Sequence, residues 1–358
     1  MEKRTLGKTG FNISVIGFGG IPIQQLNQEK SDELIKTCIE QGINFIDTAR
    51  GYTVSEELIG NSLKKLNTKG IYVATKTMGR TYEAAKKDFE ISYKNLGLET
   101  IDLYQFHNIS KKEDYDIVMG ENGAMKFFKE IQKKGYIREI GITSHSADLM
   151  DMALDSGEFS TMQFPVNAVE CQGIPLIEKA TKLNIGTIAM KPIAGGVLMN
   201  HGEESLRYIL EDKNLTVAIP GMYSVDEVMR NTYIGNNLKP LGEEEKKELL
   251  EEAKSLGNNF CRRCNYCQPC TVGINISQMF TLDLYKTKYN LIEWSEARYD
   301  TEKVKASECI KCGVCESRCP YDLPIIEKLE GVSERFEGEN IWKREQEKEE
   351  DEYSYCSL

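Results

Sequence analysis

A carboxylate and a phenol lie five residues apart in the segment Phe45-Ile46-Asp47-Thr48-Ala49-Arg50-Gly51-Tyr52. Downstream, Lys76 ends the run Val73-Ala74-Thr75-Lys76, and His107, one of three histidines, follows Tyr104-Gln105-Phe106. A phenol beside an ammonium can give and take a proton, because the positive charge lowers its pKa from about 10 toward neutrality. A buried lysine needs a partner, and Asp47 is the natural one. His107 can hydrogen-bond the carbonyl oxygen that receives the proton and so orient the substrate. Together the four suit proton donation to a carbonyl as hydride arrives from elsewhere. Taken singly, each has a plainer reading: Asp47 a turn residue ahead of a helix, Tyr52 a loop aromatic, Lys76 a solvated strand end, His107 structural. Their joint placement is what argues for chemistry.

Sulfur makes the second constellation. Eight of the eleven cysteines crowd into two runs. The first is Cys261-x2-Cys264-x2-Cys267-x2-Cys270, and the second Cys309-x2-Cys312-x2-Cys315-x3-Cys319-Pro320. Such crowding reads as a metal site in a reducing compartment, not a disulfide framework. The second run matches the bacterial ferredoxin spacing letter for letter; the first has x2 before its fourth cysteine and Thr271 in place of proline. Four thiolates per run suit two [4Fe-4S] clusters. In two-cluster ferredoxins the fourth cysteine of each run serves the other cluster. That rule predicts Cys261, Cys264, Cys267 and Cys319 on one cluster, and Cys309, Cys312, Cys315 and Cys270 on the other. Zinc is the rival, although a zinc ribbon needs only two of these pairs. Cys38, Cys171 and Cys356 read as ordinary thiols.

Eight short β-rich runs alternate with amphipathic runs. The predicted strands are 13–20, 44–49, 72–77, 102–109, 139–144, 161–167, 186–192 and 215–221. The predicted helices are 31–41, 55–66, 81–96, 123–134, 147–156, 174–183, 203–212 and 225–234, with Ser55 as an N-cap. Gly42, Gly97, Gly135 and Gly157 follow helices where a left-handed cap is wanted. Eight strand-helix units favour an α/β fold, the (β/α)8 TIM barrel, over an open doubly wound sheet. In a barrel, Asp47, Tyr52, Lys76 and His107 fall at the C-terminal strand ends, where function sits. Two apparent nucleotide motifs fail. Gly7-Lys8-Thr9 lacks the opening glycine of a phosphate loop, and Gly17-Phe18-Gly19-Gly20-Ile21-Pro22 has proline where the dinucleotide turn needs glycine.

The predicted organisation is a barrel over 1–240, a linking helix over 241–257, a small α-helical ferredoxin-like domain over 258–330 and an acidic tail over 331–358. The insert between the cysteine runs, including 277–286, reads as helical. The net charge of −11 argues against a nonspecific nucleic-acid or anionic-membrane binder. No apolar run suggests a signal peptide or a membrane span, so a cytoplasmic protein is expected.

The stretch Asp47-Thr48-Ala49-Arg50-Gly51-Tyr52-Thr53-Val54-Ser55-Glu56 resembles the aldo-keto reductase signature. The opening Leu6-Gly7-Lys8-Thr9-Gly10 through Gly17-Phe18-Gly19 is similar to that family too. The resemblance covers residues 1 to about 240. It implies a (β/α)8 barrel with NAD(P)H extended across its mouth, and a catalytic tetrad of Asp47, Tyr52, Lys76 and His107 in which the tyrosine is the general acid. It also carries cofactor positions. Ser144 and Gln163 match carboxamide-binding residues, with His145 in place of the usual Asn. Met190, in the segment Ala189-Met190-Lys191-Pro192, stands where many members stack a tyrosine on the nicotinamide. Gly221, Ser224, Glu227, Arg230 and Asn231 fall in the segment that binds the adenosine end. Gly221 and Glu227 occupy the positions of the family's 2′-phosphate-binding Lys and Arg, which leans toward NADH over NADPH. The plainer reading of that segment is a last helix with a polar first turn. The expected partners are a small-molecule carbonyl substrate and, if the clusters exchange electrons rather than only brace the C-terminal domain, an external redox partner. The alternative is an electron-transfer or redox-sensing module with a non-catalytic barrel.

Overall fold

The computed structural model describes residues 1–67, 69–256, 259–263, 265–319 and 321–338. It divides into two compact units, Met1–Lys254 and a second beginning at Ser255.

In the first unit, eight strands run parallel in chain order: β3 (Phe18–Gly19), β4 (Phe45–Asp47), β5 (Tyr72–Thr77), β6 (Ile101–Phe106), β7 (Ile137–Thr143), β8 (Thr161–Pro165), β9 (Gly186–Met190) and β10 (Val217–Ile219). Bridges from Ile16 to Ala218 and from Gly19 to Gly221 bring the last strand back to the first. The (β/α)8 barrel is therefore the fold, and the open sheet is not. Closure needs a glycine at position 19, where a Cβ would sit 2.7 Å from the Pro220 carbonyl oxygen. Helices return between the strands and bury their apolar faces on the barrel; Leu34, Ile35 and Cys38 of Gln28–Glu40 are examples. Gly42, Gly97, Gly135 and Gly157 all adopt positive φ after their helices. One further helix, Lys112–Met119, occupies the stretch after β6.

The predicted strand 13–20 is split. Asn12–Ser14 (β2) pairs antiparallel with Lys3–Thr5 (β1), and only Phe18–Gly19 joins the barrel. The reason is burial. Leu6, Phe11 and Ile13 pack with Phe45, Ala74, Leu103, Ile188 and Val217 in one apolar cluster, and Phe11 stacks on Tyr72 at 4.6 Å. The hairpin thus floors the barrel where its strands begin, leaving the opposite end for the site. Gly7 belongs to this floor, at φ +50 and with no room for a Cβ beside Gly186. The helix Glu243–Ser255 buries Leu249 and Ala253, and its Glu245 ion-pairs with Arg207 at 2.8 Å.

The second unit holds the helices Ile276–Thr287, Ile292–Thr301, Val314–Ser317 and Ile325–Glu337. Their core includes Ile276, Met279, Leu282, Tyr299, Leu323, Leu329 and Val332. The predicted helical insert 277–286 lies inside the first of these. Part of the predicted tail, up to Glu337, is helix. The charged run 345–352 and Cys356 lie outside the described residues. Among the described residues no helix is long and apolar enough to cross a membrane.

Candidate active site and cysteine-lined cavities

Asp47 is the last residue of β4, and Lys76 lies one strand over in β5. Both are buried, and Lys76 is only 1% exposed. The Lys76 ammonium donates to Asp47 Oδ2 at 2.6 Å and to the Thr48 carbonyl at 2.7 Å. Burial pulls the amine below the usual lysine range and pushes the carboxyl above the usual aspartate range; each partner resists the other's shift. Tyr52 swings over this pair, with Lys76 Nζ 5.2 Å from its ring centroid. His107, the first residue past β6, meets the Tyr52 ring edge-on at 5.7 Å. Burial, together with the charges of Lys76, Arg80 and Lys191, holds His107 well below its ordinary 6.5. The ring is therefore neutral at pH 7, so it can donate one hydrogen bond without carrying charge. Three strand ends thus converge, with a buried cation beneath a phenol and a neutral imidazole at its edge.

The loop between β4 and its helix is held from below. Ser55 is not the N-cap: that position belongs to Val54, without a side-chain bond. The Ser55 hydroxyl instead donates to the Gly20 carbonyl at 2.8 Å and accepts from Thr48 Oγ1 at 2.8 Å. It ties the Tyr52 loop to the first barrel strand, a long-range duty no local signal announces. Glu56 is fully buried and accepts from Thr75 Oγ1 at 2.7 Å and from Arg50 at 3.4 Å.

The sequence reading missed Gln105. Its amide nitrogen donates to Asp47 Oδ1 at 3.3 Å and to Gln163 Oε1 at 3.1 Å. It is fully buried and joins the carboxylate to the glutamine in the middle of β8. A signal was present: Leu103, Gln105 and His107 alternate onto one strand face, and an amide there breaks an apolar series. Gln105→Leu leaves two buried acceptors short of a donor. It should lower the unfolding free energy by about 1–3 kcal/mol, read from a urea titration without cofactor; an unchanged midpoint and slope would show the bridge is absent in solution.

Other expected cofactor residues serve local structure. Ser144 Oγ accepts from the Ser146 amide at 3.0 Å, and His145 Nδ1 meets Asn108 Oδ1 at 3.0 Å. Met190 ends β9 half-buried, and Lys191 follows it at φ +55. Gly221 bridges to Gly19. Ser224 and Glu227 form a capping box on the helix Val225–Asn236. Glu227 Oε2 accepts from the Tyr223 amide at 2.8 Å and the Ser224 amide at 3.2 Å, satisfying donors a helix start leaves open. One carboxylate oxygen is thus committed to backbone. Arg230 is exposed and Asn231 half-buried on the same helix.

In the second unit the thiols divide between two cavities. One, of about 360 Å³ and partly open, is lined by Cys261, Cys267 and Cys319 with Phe260, Ile276 and Leu323. The other, of about 320 Å³, is lined by Cys270, Cys309, Cys312 and Cys315 with Thr271 and Leu329. Cys264 lies outside the described residues. Each run thus sends its fourth cysteine to the cavity of the other. Among the described residues no three Cys, His, Asp or Glu side chains close around a single metal ion. The backbone amides of Lys311, Val314 and Glu316 face the sulfurs of Cys309, Cys312 and Cys315. Burial raises the Cys309 thiol and pushes Cys315 up to about 11. Soft thiolate donors around apolar cavities, with amides aimed at the sulfurs, fit iron–sulfur clusters.

An aldo/keto reductase family profile matches residues 15–207, and a 4Fe-4S dicluster domain profile matches residues 260–324. L-galactose dehydrogenase of Arabidopsis thaliana is 25% identical over 307 residues, spanning 72% of this chain and 94% of that protein. Aldo-keto reductase YhdN of Bacillus subtilis (strain 168) is 30% identical over 188 residues, 48% of this chain and 55% of that protein. The holo form of aldo-keto reductase AKR11C1 from Bacillus halodurans superposes with a TM-score of 0.60 at 21% identity, covering 72% of this chain and 96% of that one, a likeness of fold.

Proposed function

The chain belongs to the aldo/keto reductase family, and its C-terminal part matches a 4Fe-4S dicluster domain; from that premise we propose that it reduces an aldehyde or ketone to an alcohol with Tyr52 as general acid. The observation that carries the reading is the buried Lys76–Asp47 pair beneath the Tyr52 ring. A nicotinamide, when bound, would supply hydride for the carbonyl carbon. Tyr52 gives its proton to the oxygen, and the cation beside the ring stabilises the phenolate that remains. Asp47 holds the ammonium in place, and neutral His107 donates to the same oxygen. Barrel floor and strand ends exclude water from the pair, so the charge acts at full strength. Alcohol oxidation is the same path reversed.

Gln163 and Ser144 would hold the carboxamide, Met190 and Lys191 would flank the nicotinamide, and Gly221, Ser224, Glu227, Arg230 and Asn231 would meet the adenosine end. Glu227 in place of a phosphate-binding cation supports a preference for NADH, because a carboxylate repels a 2′-phosphate. The eight run cysteines, Cys264 among them, would hold two [4Fe-4S] clusters in the assignment given above. These move electrons singly while nicotinamide moves them in pairs, so the clusters serve an external one-electron partner in a reducing, cytoplasmic setting.

Anaerobically purified protein tests this, with iron and sulfide counts followed by rates on an aldehyde, ketone and aldose panel with each nicotinamide. The similarity to an L-galactose dehydrogenase puts aldoses on that panel in the oxidative direction. The expected result is turnover with a higher kcat/KM for NADH, surviving in a folded Cys309→Ser/Cys312→Ser variant that lacks a cluster. No turnover and no quenching of nicotinamide fluorescence would make the barrel a non-catalytic module.

A further inference from the structure

The first cysteine run departs from the ferredoxin pattern at one informative place: Thr271 follows Cys270 where the pattern has proline. Proline has no side-chain donor; threonine does. The Thr271 hydroxyl lies 3.2 Å from Cys312 Sγ, across 41 residues of chain, and lines the same cavity. A ligating sulfur is a thiolate and cannot donate, so the hydroxyl must. The Val314 amide and the Cys312 backbone amide face the same sulfur, and Thr271 is the side-chain donor among them. Cys312 is also exposed, whereas Cys315, on the same cavity, is 7% exposed.

We propose that Thr271 is a positioning residue for the group held by Cys270, Cys309, Cys312 and Cys315, and that its hydrogen bond to Cys312 raises that group's reduction potential. The inference rests on the two-cluster reading but not on carbonyl reduction. Reduction adds one electron, and no bond forms or breaks. The added negative charge is shared with the thiolate sulfurs, so a donor on Cys312 is held more tightly in the reduced form than in the oxidised one. The difference favours reduction. Because Cys312 faces solvent, the tuned group is also the one an external electron carrier can approach.

The test is an EPR-monitored redox titration of the full chain and three variants, each first checked for iron and sulfide. Thr271→Val removes the donor at nearly constant volume. It should make reduction of one of the two clusters about tenfold less favourable, a shift of about −59 mV for one electron, and leave the other unmoved. Thr271→Pro, which restores the ferredoxin residue, should shift it the same way. Thr271→Ser keeps a hydroxyl and should titrate close to the wild type. Wild-type potentials in Thr271→Val overturn the proposal, as does a Thr271→Ser shift as large as that of Val. Loss of the cluster from Val but not Ser also overturns it, by making Thr271 an assembly residue. A wild-type chain without iron and sulfide instead overturns the cluster reading itself, so the two failures are distinguishable.

Discussion

Tyr52→Phe lowers kcat by about 10²–10⁴-fold, the usual worth of a positioned proton donor, and leaves the nicotinamide dissociation constant unchanged. The substitution deletes one oxygen. The ring stays over Lys76 and against the edge of His107, so the loop keeps its packing. What goes is the group that protonates the carbonyl oxygen. An interaction made only in the transition state lowers kcat and kcat/KM together. The measurement is therefore a pair: steady-state rates with the best carbonyl, and fluorescence titration of the nicotinamide. Full turnover in Tyr52→Phe would remove the phenol from the mechanism. Because His107 is held neutral, the wild-type rate should also lack an inflection at its ordinary 6.5.

Lys76→Met should be inactive and also poorly stable, and the two defects should separate. The Lys76 and Asp47 side chains are 1% and 4% exposed. Removing one partner of such a pair strands a buried charge, at a cost of about 3–5 kcal/mol against a typical total of 5–15 kcal/mol. Gln105 still donates to Asp47, which softens the loss. The pH dependence has a definite sign. Burial raises the Asp47 carboxyl in the folded state above its ordinary 3.8, and in the variant the lysine no longer opposes that rise. The penalty is therefore absent well below 3.8, where the carboxyl is neutral in both states, grows as pH rises from 3.8 toward the folded value, and is constant above it. Pairing Lys76→Met with Asp47→Asn removes both charges and should recover most of the stability, since replacing a whole buried pair by neutral groups is often harmless. It should not recover turnover, because the cation beside Tyr52 is still missing. Recovered activity in the double variant would mean that the pair serves folding alone.

The same residues mark how far a single sequence could be read. Strand and helix periods were legible because each buried face repeats locally, and the two-spaced and three-spaced cysteines carry their stoichiometry in their own intervals. The split of the first predicted strand was not legible. Residues 13–20 look like one apolar run, and only the need of Leu6, Phe11 and Ile13 to floor the barrel divides them. Ser55 has the residue type and position of an N-cap, yet it spends its hydroxyl on Gly20 and Thr48. Glu227 looked like a cofactor determinant. In the fold it also closes a capping box, for which Ser224 followed by Glu three residues later was the signal.

Alone, the sequence determined the class of fold, the strand ends carrying a carboxylate, a phenol, an amine and an imidazole, and the presence of two four-cysteine sets. These follow from short-range rules: the period of burial, the turn that ends a strand, the interval between ligands. Tertiary structure decided which groups touch. Lys76 reaches Asp47 because of the register of β4 on β5, and Gln105 bridges Asp47 and Gln163 across 58 residues on either side. Thr271 meets Cys312 only because the second unit folds one run against the other. Such contacts depend on register and closure, which are properties of the whole chain, so no window of sequence contains them.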